Sequence, residues 1–347
     1  MNKNKKFISI IWWYHKQIFT FKKEQNYHMM PLEVMMNEWY NCEIYAIDSQ
    51  VKIEGDPNFV KWVKVIYYKN LINYLYYLWK NKNYIIYSNS LTLKTLLVWI
   101  IWKRTVFYPH SFPFWHNKIK TYIIIFFYNF FTKIRINNTW EFELIEKIKK
   151  WLAYVCPLVV SSKFLNINLD NRTWWTWIWN LTRIKNPEFL IETCKNLKNK
   201  KIDFSINIIW EDRYSKNWKS FSDLVIEKWL EEYIKVLWFL TPLEIKRYLS
   251  QSLVYINTSI SEWQCLSVYE WALAWNILCL PNILSFPSVF WKNALYHNSP
   301  KELAENITNI LKNKDKYEEK ILKNQKMILK NYSYCKLKEC LFNLFIK

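Results

Sequence analysis

Two carboxylates bracket one short segment of the chain. In Ser259-Ile260-Ser261-Glu262-Trp263-Gln264-Cys265-Leu266-Ser267-Val268-Tyr269-Glu270, Glu262 precedes a helix-like stretch and Glu270 lies between one and two turns inside it. The apolar run 254–257 just upstream reads as a strand, so the segment is a strand end, a loop and a helix N-terminus. The first N–H groups of a helix have no intrahelical acceptor and sit at the positive end of its dipole, which makes them a ready phosphate site. A carboxylate at the position of Glu270 can accept from a ribose diol. The same residues also suit a solvated loop and helix face, and their types alone leave both readings open.

The elements that would position these residues alternate regularly. In the first half, strands are expected at 7–11, 43–47, 63–67, 84–88, 105–108 and 157–161, separated by helical stretches near 16–38, 70–80, 91–101, 117–132 and 141–151. In the second half, strands are expected at 176–181, 204–209, 234–237, 254–257, 277–280 and 294–296. Helices are expected there at 187–198, 220–229, 242–251, 265–274, 300–312 and 316–330. Pro187, Pro242 and Pro300 each stand where a helix would begin, a position that tolerates the missing N–H. Strands alternating with helices predict parallel sheets covered on both faces. At 347 residues the chain suits two such domains. The fold expected is α/β, two doubly wound Rossmann-like domains facing a central cleft, where such folds bind ligands. Residues 1–168 form the first domain and residues 169–347 the second. The polar stretch 166–173 makes the linker, and a last helix, 335–346, can pack back on the first domain.

Composition removes several other classes. The longest apolar runs, 121–131 and 96–102, fall short of the ~20 residues a spanning helix needs. The basic start 1–6 before the apolar run 7–11 has the order of a signal peptide, but the run is short and no small-residue cleavage site follows, so a buried first strand is the better reading. Seven cysteines without a CxxC pair give neither a disulfide framework nor a zinc pattern, in keeping with reduced thiols in the cytoplasm. The formal charge of +20 invites a nucleic-acid reading. The lysines are scattered, however, and Lys, Asn, Ile and Tyr are abundant together, as an AT-rich gene would produce. No basic stripe interleaved with aromatics is present, so nucleic acid is not an expected partner.

The chain has one glycine, Gly55, and 22 tryptophans. An α/β protein of this length needs many positions with positive φ or close backbone approach, which glycine fills without steric cost. The tryptophans stand where such glycines belong. Trp12-Trp13 follow the first strand, Trp39 precedes the second, Trp174, Trp175, Trp177 and Trp179 crowd a turn and strand, and Trp210 and Trp238 end strand-like runs. A genetic code that reads UGA as glycine, translated as if UGA were tryptophan, produces this pattern. The alternative is a truly tryptophan-rich stacking or interface protein.

The segment 259–270 resembles the E-x7-E signature of the retaining GT-B glycosyltransferases of family four (glycosyl transferases group 1). Ser261, Glu262, Glu270, Leu273 and Ala274 fall in place, and Trp263 and Trp275 fall where that family has glycine. Residues 236–240 followed by Glu244, Tyr248 and Leu249 resemble its strand-glycine and following helix. Trp177-Ile178-Trp179-Asn180-Leu181-Thr182-Arg183-Ile184-Lys185-Asn186 resembles its glycine-bounded strand and basic loop, Trp12-Trp13 its paired glycines on the acceptor side, and Trp39-Tyr40 the glycine closing its first helix.

The resemblance implies a GT-B fold and transfer of a sugar from a nucleoside-diphosphate sugar to an acceptor, with retention and with neither a metal nor another cofactor. Glu270 would bind the donor ribose. Glu262, with the backbone N–H groups of Trp263, Gln264, Cys265 and Leu266, would hold the transferred sugar and orient the diphosphate. Lys185 with Arg183 would neutralise the leaving diphosphate, and His110 would stand near the reacting sugar. A loop histidine without a catalytic role is the other reading of His110. Residues 1–168 would bind the acceptor and residues 169–347 the nucleotide sugar; the acceptor would be a saccharide, a lipid-linked glycan or a small molecule, in cell-envelope polysaccharide synthesis, with a peripheral place at the inner face of the membrane compatible with it. Asn180 stands where the family has arginine, Ile277 where it commonly has proline, and the hinge segment before Trp174 is short. A catalytically silent nucleotide-sugar-binding protein of the same fold is the alternative.

Overall fold

The structure is a computed structural model. It describes residues 6–10, 30–38, 41–47, 59–60, 63–68, 71–80, 84–88, 105–107, 133–136, 153–156, 159–160, 165, 172, 174–178, 183–209, 220–237, 240–262, 265–283 and 285–346. The chain divides into two compact units, one of residues 1–159 with 332–347 and one of residues 160–331. The division falls between Val159 and Val160, ahead of the expected boundary at 168/169. Arg172, inside the expected linker, is buried in the second unit, where its guanidinium donates to the carbonyls of Ser252, Ala274 and Trp275 at 3.2, 3.0 and 3.0 Å. A polar stretch reads as a linker from composition, but here an arginine closes a helix end.

The first unit holds a sheet in the order β3-β4-β2-β1-β5-β6-β7-β8. Its strands are β1 Lys6–Ile10, β2 Asn41–Ile47, β3 Phe59–Val60, β4 Val63–Tyr68, β5 Tyr84–Ser88, β6 Thr105–Phe107, β7 Lys133–Ile136 and β8 Ala153–Val155. All pair in parallel except the edge strand β3, which is antiparallel to β4. The helices described are α1 Met30–Asn37 and α2 Leu71–Lys80. The strand expected at 157–161 is instead β8, since Val159 and Val160 are buried outside any strand. β3 and β7 were not expected. In β7, Lys133-Ile134-Arg135-Ile136, two cations interrupt the apolar run, although the alternation is itself a period-two strand signal.

The second unit holds a six-stranded parallel sheet in the order β11-β10-β9-β12-β13-β14. Its strands are β9 Trp174–Ile178, β10 Ile206–Ile209, β11 Ile234–Leu237, β12 Ser252–Ile256, β13 Ile277–Pro281 and β14 Leu295–His297. Every residue of β10, β12 and β13 is buried, as expected for strands covered on both faces, while the edge strands β11 and β14 are partly open. The helices are α3 Pro187–Asn199, α4 Phe221–Glu227, α5 Pro242–Gln251, α6 Leu266–Leu273, α7 Ser285–Phe290, α8 Pro300–Lys312 and α9 Glu318–Asn331. Ser220 and Thr241 close capping boxes with Asp223 and Glu244, and Ser299 caps α8. The core joins Leu190, Ile191, Leu197, Leu303 and Ile307 of α3 and α8 to Ile206, Ile208, Val254 and Ile256, alternate residues on one face of this sheet.

The last helix, α10 Tyr334–Ile346, belongs to the first unit. Lys338 pairs with Glu38, Asn37 Nδ2 donates to Tyr334 Oη at 2.7 Å, and Leu337, Leu341 and Leu344 are buried. None of the seven cysteines forms a disulfide. Among the described residues no helix is long and apolar enough to cross a membrane.

Candidate active site

Strand order in the second sheet reverses between β9 and β12: β10 and β11 lie to one side, β13 and β14 to the other. At such a switch point the loops leaving two neighbouring strands diverge and leave room for a ligand at their carboxyl ends. The loop leaving β9 carries a 3-10 turn, Arg183–Lys185. The loop leaving β12 carries residues 257–262 and leads into α6.

These two loops bring Lys185 and Glu262 together. The ammonium and the carboxylate Oε1 form an ion pair with side chains only 8% and 9% exposed. Backbone and side chain tie the loops at two more points, where Ile260 N donates to the Ile184 carbonyl at 2.9 Å and Thr258 Oγ1 to the Lys185 carbonyl at 2.7 Å. Ser259 Oγ donates to the same Glu262 Oε1 at 2.7 Å. The carboxylate is thus held from two sides before any ligand arrives.

Asn257, Thr258 and Ser259 are all buried, unusual for three polar loop residues in succession. Asn257 accounts for it, because its four polar groups are all engaged. Its N–H donates to the Cys279 carbonyl at 3.0 Å, its carbonyl faces His297 Nε2 at 3.0 Å, its Oδ1 accepts from Ser259 N at 2.9 Å, and its Nδ2 donates to Cys265 Sγ at 3.6 Å.

Cys265 is the N-cap of α6 and Leu266 its first residue. The Cys265 thiol turns inward, 3.2 Å from Ser267 Oγ, and burial pushes its pKa up to about 12, with the Glu262 charge adding and the Lys185 charge opposing. It is therefore a core thiol and no nucleophile. Burial likewise holds the Tyr255 phenol, 3.0 Å from Ser267 Oγ, protonated. Glu270 is half-buried one turn into α6, with its carbonyl accepting from Ala274 N at 2.9 Å.

Of the residues singled out in the sequence, Lys185, Glu262, Cys265 and Leu266 gather at one end of this sheet, with Glu270 following on α6. The Arg183 backbone shares the turn with Lys185, and its side chain lies outside the described residues. Trp12, Trp13, His110, Asn180, Trp263 and Gln264 also lie outside them. Sequence reading missed Asn257, Thr258, Ser259 and His297. A run of Asn-Thr-Ser straight after a fully apolar strand was a usable signal, whereas nothing local marks His297. Among the described residues no group of three or more His, Cys, Asp or Glu side chains could hold a metal ion.

Residues 176–327 match the family model described as glycosyl transferases group 1. A chain crystallised with UDP, Anabaena HepE, superposes with a TM-score of 0.75 at 10% identity, over 96% of this chain and 97% of that one. The fold is GT-B. A glycosyltransferase from Rickettsia africae ESF-5 superposes with a TM-score of 0.74 at 14% identity, over 98% and 99% of the two chains. TarM of S. aureus superposes at 0.66 with 19% identity; the match takes in 81% of this chain and spans 59% of TarM's length. No curated protein matches the chain. In this GT-B chain the family match begins inside β9 and ends inside α9, so it takes in both loops that carry Lys185 and Glu262.

Proposed function

We propose that the protein transfers a sugar from a nucleoside-diphosphate sugar to an acceptor, with retention and without a metal. The observation that carries this reading is the meeting of Lys185 and Glu262 at the switch point, beside the start of α6. In the reaction the glycosidic bond to the diphosphate breaks through an oxocarbenium-like state while negative charge gathers on the leaving group. Lys185 and Arg183, with the N–H groups of 263–266, would stabilise that charge. Glu262 would hold the transferred sugar, Glu270 the ribose, His110 would stand near the reacting carbon, and the loop of Trp12 and Trp13 would face the acceptor. Neither Glu262 nor Glu270 is given the part of a covalent nucleophile, because both belong to one segment and do not form a facing pair.

The crystal structures of Anabaena HepE with UDP and with UDP-glucose support a nucleotide-sugar donor by likeness of fold. The acceptor is proposed to be a saccharide or lipid-linked glycan of the cell envelope, met in the cytoplasm at the inner face of the membrane. Asn180, where the family has arginine, favours a second reading in which the chain binds the donor and is silent.

A thermal-shift series with UDP-, GDP- and ADP-sugars tests the proposal, with Glu270→Ala as control. A rise for one nucleotide class, lost in the variant, supports the donor site. Binding without sugar release supports the silent protein, and no shift at all from a folded chain removes both readings.

The proposal extends to the tryptophans. Among the described residues, five that are not glycine have left-handed φ: Asn186 51°, Lys201 55°, Trp229 55°, Trp275 66° and Trp291 38°. Trp229 and Trp275 each occupy the residue after a helix C-cap. Each closes the paired bonds of a Schellman turn: Leu230 N donates to Val225 O at 3.1 Å with Trp229 N to Ile226 O at 2.9 Å, and Asn276 N to Trp271 O at 3.2 Å with Trp275 N to Ala272 O at 3.4 Å. That position favours glycine over any residue with a Cβ. We therefore read the turn tryptophans as glycine in the cell. Trp271, buried inside α6 and stacked on Tyr255 with ring centroids 4.9 Å apart, has no such turn to account for it. Peptide masses of the natural protein decide, since UGG codons and tryptophan masses at 229 and 275 would sink the reading.

A further inference from the structure

His297 lies two strands from the Lys185–Glu262 pair, at the end of β14, and no sequence pattern joins it to the site. It is 1% exposed and packs against Phe189 with ring centroids 5.2 Å apart. Its Nε2 is 3.0 Å from the Asn257 carbonyl, while Nδ1 has no hydrogen-bond partner among the described residues. A carbonyl oxygen only accepts, so the bond requires the hydrogen on Nε2. Nδ1 is then a bare acceptor, and the ring is neutral. Burial supports this by lowering the pKa to about 4, against the opposing pull of the Asn257 bond and the Glu302 charge.

What the ring holds matters. The Asn257 carbonyl it engages belongs to the residue whose Oδ1 accepts from Ser259 N at 2.9 Å. Ser259 Oγ in turn donates to Glu262 Oε1 at 2.7 Å, and that oxygen pairs with Lys185. Three hydrogen bonds, joined through the covalent frames of Asn257 and Ser259, therefore link β14 to the carboxylate. A buried histidine that leaves one nitrogen unsatisfied forgoes a hydrogen bond, and the bond it does make is spent on fixing this loop.

We propose that His297 is a positioning residue for Glu262: its Nε2–H clamps Asn257 and, through Ser259, fixes the carboxylate that would hold the transferred sugar. The sugar-holding step rests on the glycosyltransferase reading; the clamp itself does not.

The test compares full-length wild type, His297→Phe and His297→Gln. Phenylalanine keeps the ring against Phe189 and removes the donor, whereas the glutamine amide can reach the same carbonyl. In His297→Phe the Ser259 amide should exchange with solvent about tenfold faster, the loss expected for one freed hydrogen bond. Nucleotide-sugar turnover should fall about tenfold while binding of the nucleoside diphosphate alone falls less, because Glu270 and Lys185 would still contact the ribose and the diphosphate. His297→Gln should restore both. Unchanged Ser259 exchange in His297→Phe overturns the proposal, and so does a glutamine variant as impaired as the phenylalanine one, since ring packing would then be the cause. Should His297→Phe not fold, nitrogen NMR of the wild type decides: the Nε2–H tautomer is expected, and an Nδ1–H ring refutes the clamp. A wild type that binds no nucleotide sugar defeats the functional reading alone, because exchange and tautomer are read without ligand.

Discussion

At the scale of single residues, the Lys185–Glu262 pair does two jobs that pull against each other. With side chains only 8% and 9% exposed, each charge depends on the other for solvation. Lys185→Met strands a buried carboxylate, and the cost of breaking such a pair is about 3 kcal/mol. Denaturant midpoints should show that loss, and the double variant Lys185→Met with Glu262→Gln should recover much of it, because no charge is then left unpaired. Neither variant should retain sugar transfer. On the proposed function, a donor diphosphate would have to share or displace the Glu262 carboxylate on Lys185. His297 adds a pH dependence of calculable sign. Its pKa falls from 6.5 to about 4 on folding, so between those values the unfolded chain binds the proton and the native one does not. Stability must therefore fall as pH drops through this window, by about 3 kcal/mol in all, and level off below it. Urea titrations at pH 7, 5.5 and 4 check this, and His297→Gln should remove that part of the slope.

At the scale of elements, the helix ends of the second unit divide the tryptophans into two kinds. A left-handed residue with a Cβ carries a strain of about 1–2 kcal/mol, while glycine gives back roughly 1 kcal/mol through the freedom of its unfolded chain. Trp229 is 76% exposed, so its removal uncovers little and Trp229→Gly should stabilise by several tenths to about 1 kcal/mol. Trp275 packs partly on the core, and the lost burial should cancel much of the same gain. Trp271→Gly should instead cost at least about 3 kcal/mol, because a fully buried indole leaves a cavity. Chemical denaturation of the three variants separates turn from core. The same helix ends show why the second unit was so readable. Pro187, Pro242 and Pro300 mark N-termini that the structure places at those residues, and the carboxylates of Asp223 and Glu244 lie three residues after their caps. The two glutamates were legible because they flank the helix start that follows the apolar run 254–257, and Lys185 through the resemblance of 177–186 to a glycine-bounded strand and basic loop. His297 was not, because its role comes from β14 lying beside β13, a neighbourhood that only the sheet order supplies. β8 was misplaced because buried residues at 159 and 160 extend the apolar run beyond the hydrogen-bonded strand.

At the scale of the whole molecule, the two sheets repeat one plan. Leaving aside the antiparallel edge strand β3, each runs outward in both directions from its first strand, β1 in one unit and β9 in the other. A doubly wound plan leaves the loops after the first strand at the switch point, so each unit offers one such place. In the second unit it holds the Lys185 turn. The chain then crosses back: after α9 completes the second unit, residues 332–347 return to the first. The last helix, contiguous in sequence with the second unit, belongs to the first. α10 buries Leu337, Leu341 and Leu344 at 1%, 0% and 1% exposure, worth roughly 2 kcal/mol each, and Cys340 donates to the Val155 carbonyl at 2.6 Å beside β8. A chain ending at Asn331 should lose about 5 kcal/mol from the first unit, comparable with the whole stability of a small domain. The second unit, whose core lies within residues 190–321, should be untouched. Calorimetry of the truncated chain should therefore show the first unit's transition lowered or gone and the second unit's transition in place. If both transitions moved together, the two units would unfold as one cooperative body, and the loss of the last helix would reach the Lys185–Glu262 pair as well.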